Sequence, residues 1–262
     1  TTGAPITILF ENNNTRSEDY DKHREVPRPG HADFTAHAKY GGFEDYRGGG
    51  HFSGRLTVCL VAAGVIAKKL LAKTNAIKVH STILEIGGET DLEKGLQVAI
   101  DAKDSIGGIV DCTASNLPVG LGEHFFDSVE SMISHAVFSI PAVRGIEFGT
   151  GFAAAKMFGV NHNDAILDAS GKTSTNHAGG IVGGITNGND LYFKIAIKPT
   201  ASTPKEQQSW NWERNIVEPF SVKGRHDLCI ALRVPVVLEA VTSMVLVDLM
   251  LRAQQIPLII KD

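Results

Sequence analysis

The stretch Leu56–Ala72, LTVCLVAAGVIAKKLLA, decides the architecture. Its apolar residues fall on almost every side of a 3.6-residue period, interrupted only by Lys68 and Lys69. A helix that is apolar all round lies inside a protein or inside a membrane. This run falls short of the roughly 20 apolar residues a bilayer demands, so it predicts a helix buried in a core. A second apolar run, Val234–Leu251, has the same character, and Glu239 and Asp248 within it argue against a membrane span. Pro235 suits a first helical turn, and the pattern predicts one long helix ending near Gln255, before Pro257.

Strand signals lie on both sides of these helices. Leu191, Phe193, Ile195 and Ile197 alternate with Tyr192, Lys194, Ala196 and Lys198, the pattern of a half-buried strand. Ile6–Phe10, Ile77–Ile86 and Gly108–Ala114 read as further strands. Thr90-x-x-Glu93 has the form of a capping box ahead of a stripe made by Leu92, Leu96, Ala99 and Ile100. Asp127 is expected to cap a helix whose buried face holds Val129, Ile133, Ala136, Val137 and Ile140. Strands and helices interleave without regular βαβ units, which gives the α+β class, helices inside and sheets outside. With no internal repeat and no linker, residues 1–262 read as a single domain. A core strand beginning after five residues implies that the first part of that domain is absent from this chain.

Composition narrows the function classes. The chain has 262 residues, 43% apolar and 21% charged, with a formal net charge of −4. No basic stripe is visible, so nucleic acid is not an expected partner. Cys59, Cys112 and Cys229 form no C-x-x-C pair and read as three buried thiols of a reducing cytoplasm. No secretory signal opens the chain; the expectation is a cytoplasmic protein without a membrane segment.

Residues 11–55 are polar, glycine-rich and without period, yet carry Phe34, Tyr40, Phe43, Tyr46 and Phe52. Such a segment is functional or disordered, and its aromatics oppose disorder. Gly48-Gly49-Gly50 lets the backbone approach a ligand and precedes His51-Phe52-Ser53-Gly54-Arg55 and a helix start, a ready place for an anion. Arg28, Arg47 and Arg55 can grip phosphate or carboxylate, or can be solvated arginines on a tight loop. His31, in R-P-G-H-A-D, can deliver a proton near neutral pH. Beside Arg28 its imidazole tends to the neutral form unless Asp33 or an anionic ligand balances the charge. The structural alternative for His31, His37 and His51 is an ordinary loop histidine, and none shows metal-ligand spacing.

The second glycine cluster, 176–188, precedes a strand and contains neither a dinucleotide fingerprint nor a Walker loop, so by itself it is a close-packed turn. Lys198-Pro199-Thr200-Ala201-Ser202 follows the alternating strand. Lys223-Gly224-Arg225-His226-Asp227 brings a cation, a proton carrier and a base together, although Asp227 also fits an ion pair or a cap.

In order, the motifs are E-N-x-x-x-R-S-x-D-Y (11–20), R-P-G-H-A-D (28–33), D-Y-R-G-G-G-H-F-S-G-R-L-T (45–57), D-S-I-G-G (104–108), P-V-G-L-G-E (118–123), N-H-A-G-G-I-x-G-G-I (176–185), K-P-T-x-S (198–202) and G-R-H-D (224–227). Together they resemble the chorismate synthase family over nearly the whole chain. The resemblance implies a β-α-β sandwich with central helices between antiparallel sheets, assembled as a homotetramer. It implies 1,4-anti elimination of phosphate from 5-enolpyruvylshikimate 3-phosphate, giving chorismate in the shikimate pathway of aromatic amino acid biosynthesis. Reduced FMN is the implied cofactor, with NADPH as a candidate reductant. By motif, His31 and Asp227 are the implied catalytic residues. His51, Phe52, Ser53, Gly183, Lys198, Pro199, Thr200, Ala201, Ser202 and Arg225 would line FMN, and Arg28 and Arg55 would hold substrate anions. No metal is implied.

The chain departs from the family pattern at several points. His51 and Phe52 stand where many relatives have Arg-Ser, and Leu228 where many have proline. Lys103 precedes Asp104-Ser105 where relatives usually have glycine, which implies a shortened segment. The family's Gly-Glu-Ser-His-Gly motif and arginine-rich segment do not occur, so the expected domain lacks its N-terminal segment. The alternative function is a catalytically incompetent flavin- or anion-binding fragment that keeps only the oligomeric scaffold. A flavin oxidoreductase with another substrate is weaker, since no nicotinamide-binding motif is visible.

Overall fold

A computed structural model describes residues 3–11, 25–45, 51–222 and 227–260. In chain order the elements are α1 (Asp33–Tyr40), α2 (Thr57–Asn75), β1 (Lys78–Ile86), α3 (Leu92–Ala102), β2 (Gly108–Ser115), α4 (Val129–Val137), β3 (Val143–Phe148) and α5 (Gly159–His162). They continue with β4 (Ile181–Val182), β5 (Ile185–Thr186), β6 (Leu191–Ile197), β7 (Gln207–Asn211), β8 (Ile216–Phe220) and α6 (Val234–Arg252). The class is α+β: β1-β2-β6-β3 form a fully antiparallel sheet, and β4-β5 and β7-β8 are separate hairpins.

The alternation in β6 does what its period requires. Leu191, Phe193, Ile195 and Ile197 are buried, and Val110, Cys112 and Ala114 of β2 share their face. α6 lies across this layer and touches α2, α4, β1 and β2. Its apolar character is therefore that of a core helix. With its lead-in turn it spans Ile230–Arg252, reaches a mean hydropathy of 2.0 over its most apolar window and is two-thirds buried there. Length and composition alone would have let it cross a membrane, despite Glu239 and Asp248. Glu239 is accommodated by an ion pair with Lys68 of α2 and a hydrogen bond from the Ser81 backbone N–H of β1, 3.0 Å away.

The α2–α6 crossing is close because Gly64 faces Ala240. A Cβ added at Gly64 would lie 2.3 Å from the Ala240 Cβ. The far side of α2 is barer than its sequence predicts: Gly64, Ala67 and Leu71 are buried, but Val58, Val65 and Ile66 are exposed. Cys59 is also exposed, whereas Cys112 and Cys229 are buried. Burial pushes the Cys112 thiol up to about 12. The sheet covers one side of the helix pair. Ile6–Phe10, expected as a strand, forms none among the described residues, and Leu9 is exposed.

Two caps sit one residue later than the sequence pattern predicts. Asp91, not Thr90, caps α3 by accepting from the Lys94 N–H at 3.2 Å, because Asp91 has the extended backbone an N-cap needs. Ser128, not Asp127, caps α4 by accepting from the Ser131 N–H at 3.1 Å. Asp127 ends a short 3₁₀ turn and pairs with Arg252 at 3.3 Å. α3 stops at Lys103, whose φ of 51° is left-handed, the conformation glycine takes without strain at a helix end.

Candidate active site

The R-P-G-H-A-D stretch folds into a turn that runs straight into α1. The His31 N–H donates to the Arg28 carbonyl at 3.2 Å, and Gly30 takes φ 72°. Arg28, only 9% exposed, lays its guanidinium on Asp33. Nε donates to one carboxylate oxygen at 2.7 Å and Nη2 to the other at 2.8 Å, and the Arg28 backbone N–H adds a bond of 3.0 Å. This is the two-pronged geometry at which arginine excels. His31 Nδ1 donates to Asp33 Oδ1 at 2.5 Å. A carboxylate only accepts, so the hydrogen lies on Nδ1. Arg28 Nη2 stands against the ring edge, 3.0 Å from Nδ1 and 3.3 Å from Nε2, and with the hydrogen on Nδ1 the Nε2 lone pair is the one that can accept a proton. Burial alone would raise the Asp33 pKa. The hydrogen bonds from Arg28 and His31 and the charge of Arg28 outweigh it and hold the carboxyl well below its usual range. Asp33 is thus the balancing charge beside His31. Arg28 has closed its fork on Asp33, which differs from the expectation that it reaches out to a substrate anion.

This loop meets the Lys198–Ser202 segment directly. Lys198 Nζ donates to the Gly30 carbonyl at 2.9 Å, and Arg28 Nη1 donates to Ser202 Oγ at 3.3 Å. Burial, then the nearby charge of Arg144, lowers the pKa of Lys198. The D-S-I-G-G motif, to which the sequence assigned no role, is the bracket behind that segment. Ser105 Oγ donates to the Thr200 carbonyl at 2.7 Å, and Thr203 Oγ1 donates to Asp104 at 2.7 Å. Gly107 runs so close to β6 that a Cβ would lie 2.4 Å from the Ile197 carbonyl oxygen. On its other side the bracket holds the segment after the Arg-His-Asp run, through a 2.9 Å bond from the Ile106 N–H to the Leu228 carbonyl.

Asp227 accepts from Arg233 Nη2 at 2.6 Å and Nε at 3.1 Å, and stays partly exposed. Arg225 lies outside the described residues. Ser53 Oγ accepts from the Arg55 N–H at 3.3 Å and so caps the short turn that leads into α2. Gly54 faces Ile230, since a Cβ there would stand 3.8 Å from its Cδ1. His51–Arg55 thus lies against the chain that follows Asp227. His51, Phe52 and Arg55 are exposed, and the Arg55 guanidinium has no ion pair among the described residues.

Gly183 is placed apart from the others. It forms the β4–β5 turn with Gly184, at φ 65° and 88°, a tight hairpin that both glycines permit. That hairpin packs at the Leu191 end of β6, where Gly180 contacts Asp190 and Leu191. Lys198 follows the opposite end, about 23 Å away at the usual rise per residue.

A hollow of ≈ 280 Å³ opens beside His31, lined in part by Arg28, Gly30, Phe34, Gln208 and Trp210. Asp227 is not part of its lining. Thr200 Oγ1 is buried and has no hydrogen-bond partner, a condition that favours a ligand able to supply one. The structure therefore joins Arg28, His31, Asp33, Lys198, Thr200 and Ser202 into one polar cluster. The D-S-I-G-G bracket ties this cluster to Leu228, next to Asp227, and Gly54 of the turn before α2 packs on Ile230 of the same stretch.

Comparison with known proteins agrees with these motifs. The family model described as Chorismate synthase matches residues 1–251. A chorismate synthase of Chitinophaga pinensis is 72% identical over 255 residues, covering 97% of this chain and 76% of that protein. One from Dehalococcoides mccartyi is 43% identical over all of this chain and 80% of its own length. A solved structure titled as the crystal structure of chorismate synthase superimposes with a TM-score of 0.65 at 26% identity, over 83% of this chain and 69% of that one. The chain belongs to the chorismate synthase family.

Proposed function

We propose that this protein is a carbon–oxygen lyase that eliminates phosphate from 5-enolpyruvylshikimate 3-phosphate to give chorismate. The observation that carries the reading is the meeting of the R-P-G-H-A-D loop with the K-P-T-A-S segment, through the Lys198–Gly30 and Arg28–Ser202 bonds. Family membership supports it independently.

The residues present fit FMN. Thr200 offers an unpartnered hydroxyl, and the Gly30 backbone, at φ 72°, lies against Ala201 and Lys198 of the same segment. Lys198, Pro199, Thr200, Ala201 and Ser202 would hold it, with His51, Phe52, Ser53 and Arg225 as further contacts, whereas Gly183, at the far end of β6, lies away from this segment. Reduced FMN supplies transient electron density while phosphate and a proton leave, and the reaction has no net redox change.

The protein's own groups do the rest. Asp33 fixes the His31 ring through Nδ1, so that Nε2 can hold or pass a proton at a set position. Arg28 sets Asp33 and Ser202 together and so locks the loop to the segment it serves. Arg55, without an ion pair among the described residues, is free to meet a substrate anion. Asp227, oriented by Arg233, would support the final proton removal.

A homotetrameric assembly belongs to the same reading. Phe125, Phe126, Phe152 and Phe158 are each at least 78% exposed, and exposed aromatics of this size usually mark a contact surface. The described residues share one core cluster from Ala67 to Met250, which supports one domain. A cytoplasmic location and flavin reduction by NADPH complete the proposal.

The test is anaerobic turnover with reduced FMN, followed by chorismate absorbance. His31→Ala should lower turnover by a factor of about 10² or more with the fold kept, and unchanged turnover would remove His31 from its role. Asp227→Ala should slow the reaction more than it weakens FMN binding. FMN binding without any turnover of the unaltered protein would favour the scaffold-only alternative.

A further inference from the structure

We infer that Arg144 and Lys198 together form the docking point for a phosphomonoester dianion. This deepens the proposed function and rests on it only for which molecule carries the anion.

The backbone is irregular at the one place where it presents Arg144. β3 pairs with β6 as Val143↔Ile197 and then Gly145↔Ala196, so Arg144 is an extra residue in its strand. A bulge of this kind re-aims a side chain and is over-represented beside active sites. Two residues earlier, Ala142 holds φ 75°, the left-handed region that an alanine avoids. Its carbonyl accepts the Lys198 N–H at 2.9 Å, which ties this strained residue to the head of the K-P-T-A-S segment. Strain that persists next to a functional segment is maintained by its surroundings.

The charges point the same way. Arg144 is exposed and makes no hydrogen bond or ion pair among the described residues. Lys198 gives its ammonium to a neutral carbonyl, that of Gly30. The nearby carboxylates are engaged elsewhere: Glu147 by Lys194 at 2.7 Å, Asp33 by Arg28 and His31, Asp104 by Thr203 and Lys205. Two cations therefore stand together without a neutralising acid; burial first, and the charge of Arg144 second, lower the pKa of Lys198. A dianion removes that repulsion. The guanidinium fork can take two phosphate oxygens and the ammonium a third. The unpartnered Thr200 hydroxyl lies in the same segment.

Both FMN and 5-enolpyruvylshikimate 3-phosphate carry a phosphomonoester, so titrations distinguish the source. Binding of inorganic phosphate, FMN, riboflavin and the substrate is measured by calorimetry on the unaltered protein, Arg144→Ala, Arg144→Gln and Arg144→Lys. A matching thermal melt confirms that each variant is folded. If the anion belongs to FMN, Arg144→Ala weakens FMN about tenfold or more, leaves riboflavin unchanged, and is partly rescued in Arg144→Lys. If it belongs to the substrate, substrate affinity falls and FMN affinity holds. Equal weakening of FMN and riboflavin, or no change in phosphate, FMN and substrate, overturns the inference. Arg144-dependent phosphate binding in a protein that takes neither FMN nor substrate would keep this site and sink the proposed function instead.

Discussion

Replacing Asp33 with asparagine removes the charge on which the His31 loop is organised. In the folded chain Asp33 accepts three N–H groups from Arg28, at 2.7, 2.8 and 3.0 Å, and one from His31 at 2.5 Å. Asparagine keeps one acceptor oxygen and turns an NH₂ toward a donor. Arg28 is then a nearly buried guanidinium without a counter-charge. Removing one partner of a fully buried pair costs about 3–5 kcal/mol. Both side chains keep some exposure, 9% and 17%, so the expected loss here is about 2–3 kcal/mol. For a chain of this size that lowers Tm by roughly 5–10 °C. The pH dependence is sharper evidence than the size. The Asp33 carboxyl is held below its unfolded value, so its contribution is fully present above about pH 4–5 and is lost as pH falls toward the folded pKa. Urea unfolding followed by circular dichroism should give a constant gap between Asp33→Asn and the unaltered protein from pH 7 to 5. Below pH 4 that gap should narrow. A gap that persists unchanged to pH 3, or none at pH 7, would refute the argument that ionised Asp33 anchors the loop.

Two further outcomes follow from the helices. Gly64→Ala should destabilise the fold by about 2–3 kcal/mol, although alanine favours helix by about 1 kcal/mol. The new Cβ would lie 2.3 Å from the Ala240 Cβ and 2.5 Å from its Cα, so Ala240→Gly should restore little of the loss in a double-mutant denaturation series. Lys103→Gly should stabilise by up to about 1 kcal/mol, measured as a higher urea midpoint at unchanged m value, because φ 51° strains lysine and not glycine.

Much of the architecture is legible because periodicity is a local property. The strict alternation of 191–198 places Leu191, Phe193, Ile195 and Ile197 on one face in any fold that buries a sheet face. The apolar run of α6 had to be buried somewhere. Cap positions were less legible: Thr90 and Asp91, or Asp127 and Ser128, are both competent, and only the backbone angle selects between neighbours. The exposed side of α2 was not legible, since an apolar sequence states what should be covered and not what covers it.

For the site, the order of motifs in the chain identified the family and the candidate residues: His31, Asp227, the 198–202 segment and the arginines. It could not show that Arg28, five residues before Asp33, closes its fork on that carboxylate, because the closure depends on the turn at Gly30. Nor could it give D-S-I-G-G its place between Thr200 and Leu228, place Gly183 at the far end of β6, or set Arg144 beside Lys198 by a bulge. Residue type and spacing fix what a segment can do chemically and which face it buries. Which groups meet, and which charges are left unpaired, depends on contacts between residues far apart in sequence, and those exist only once the sheet and helices have packed.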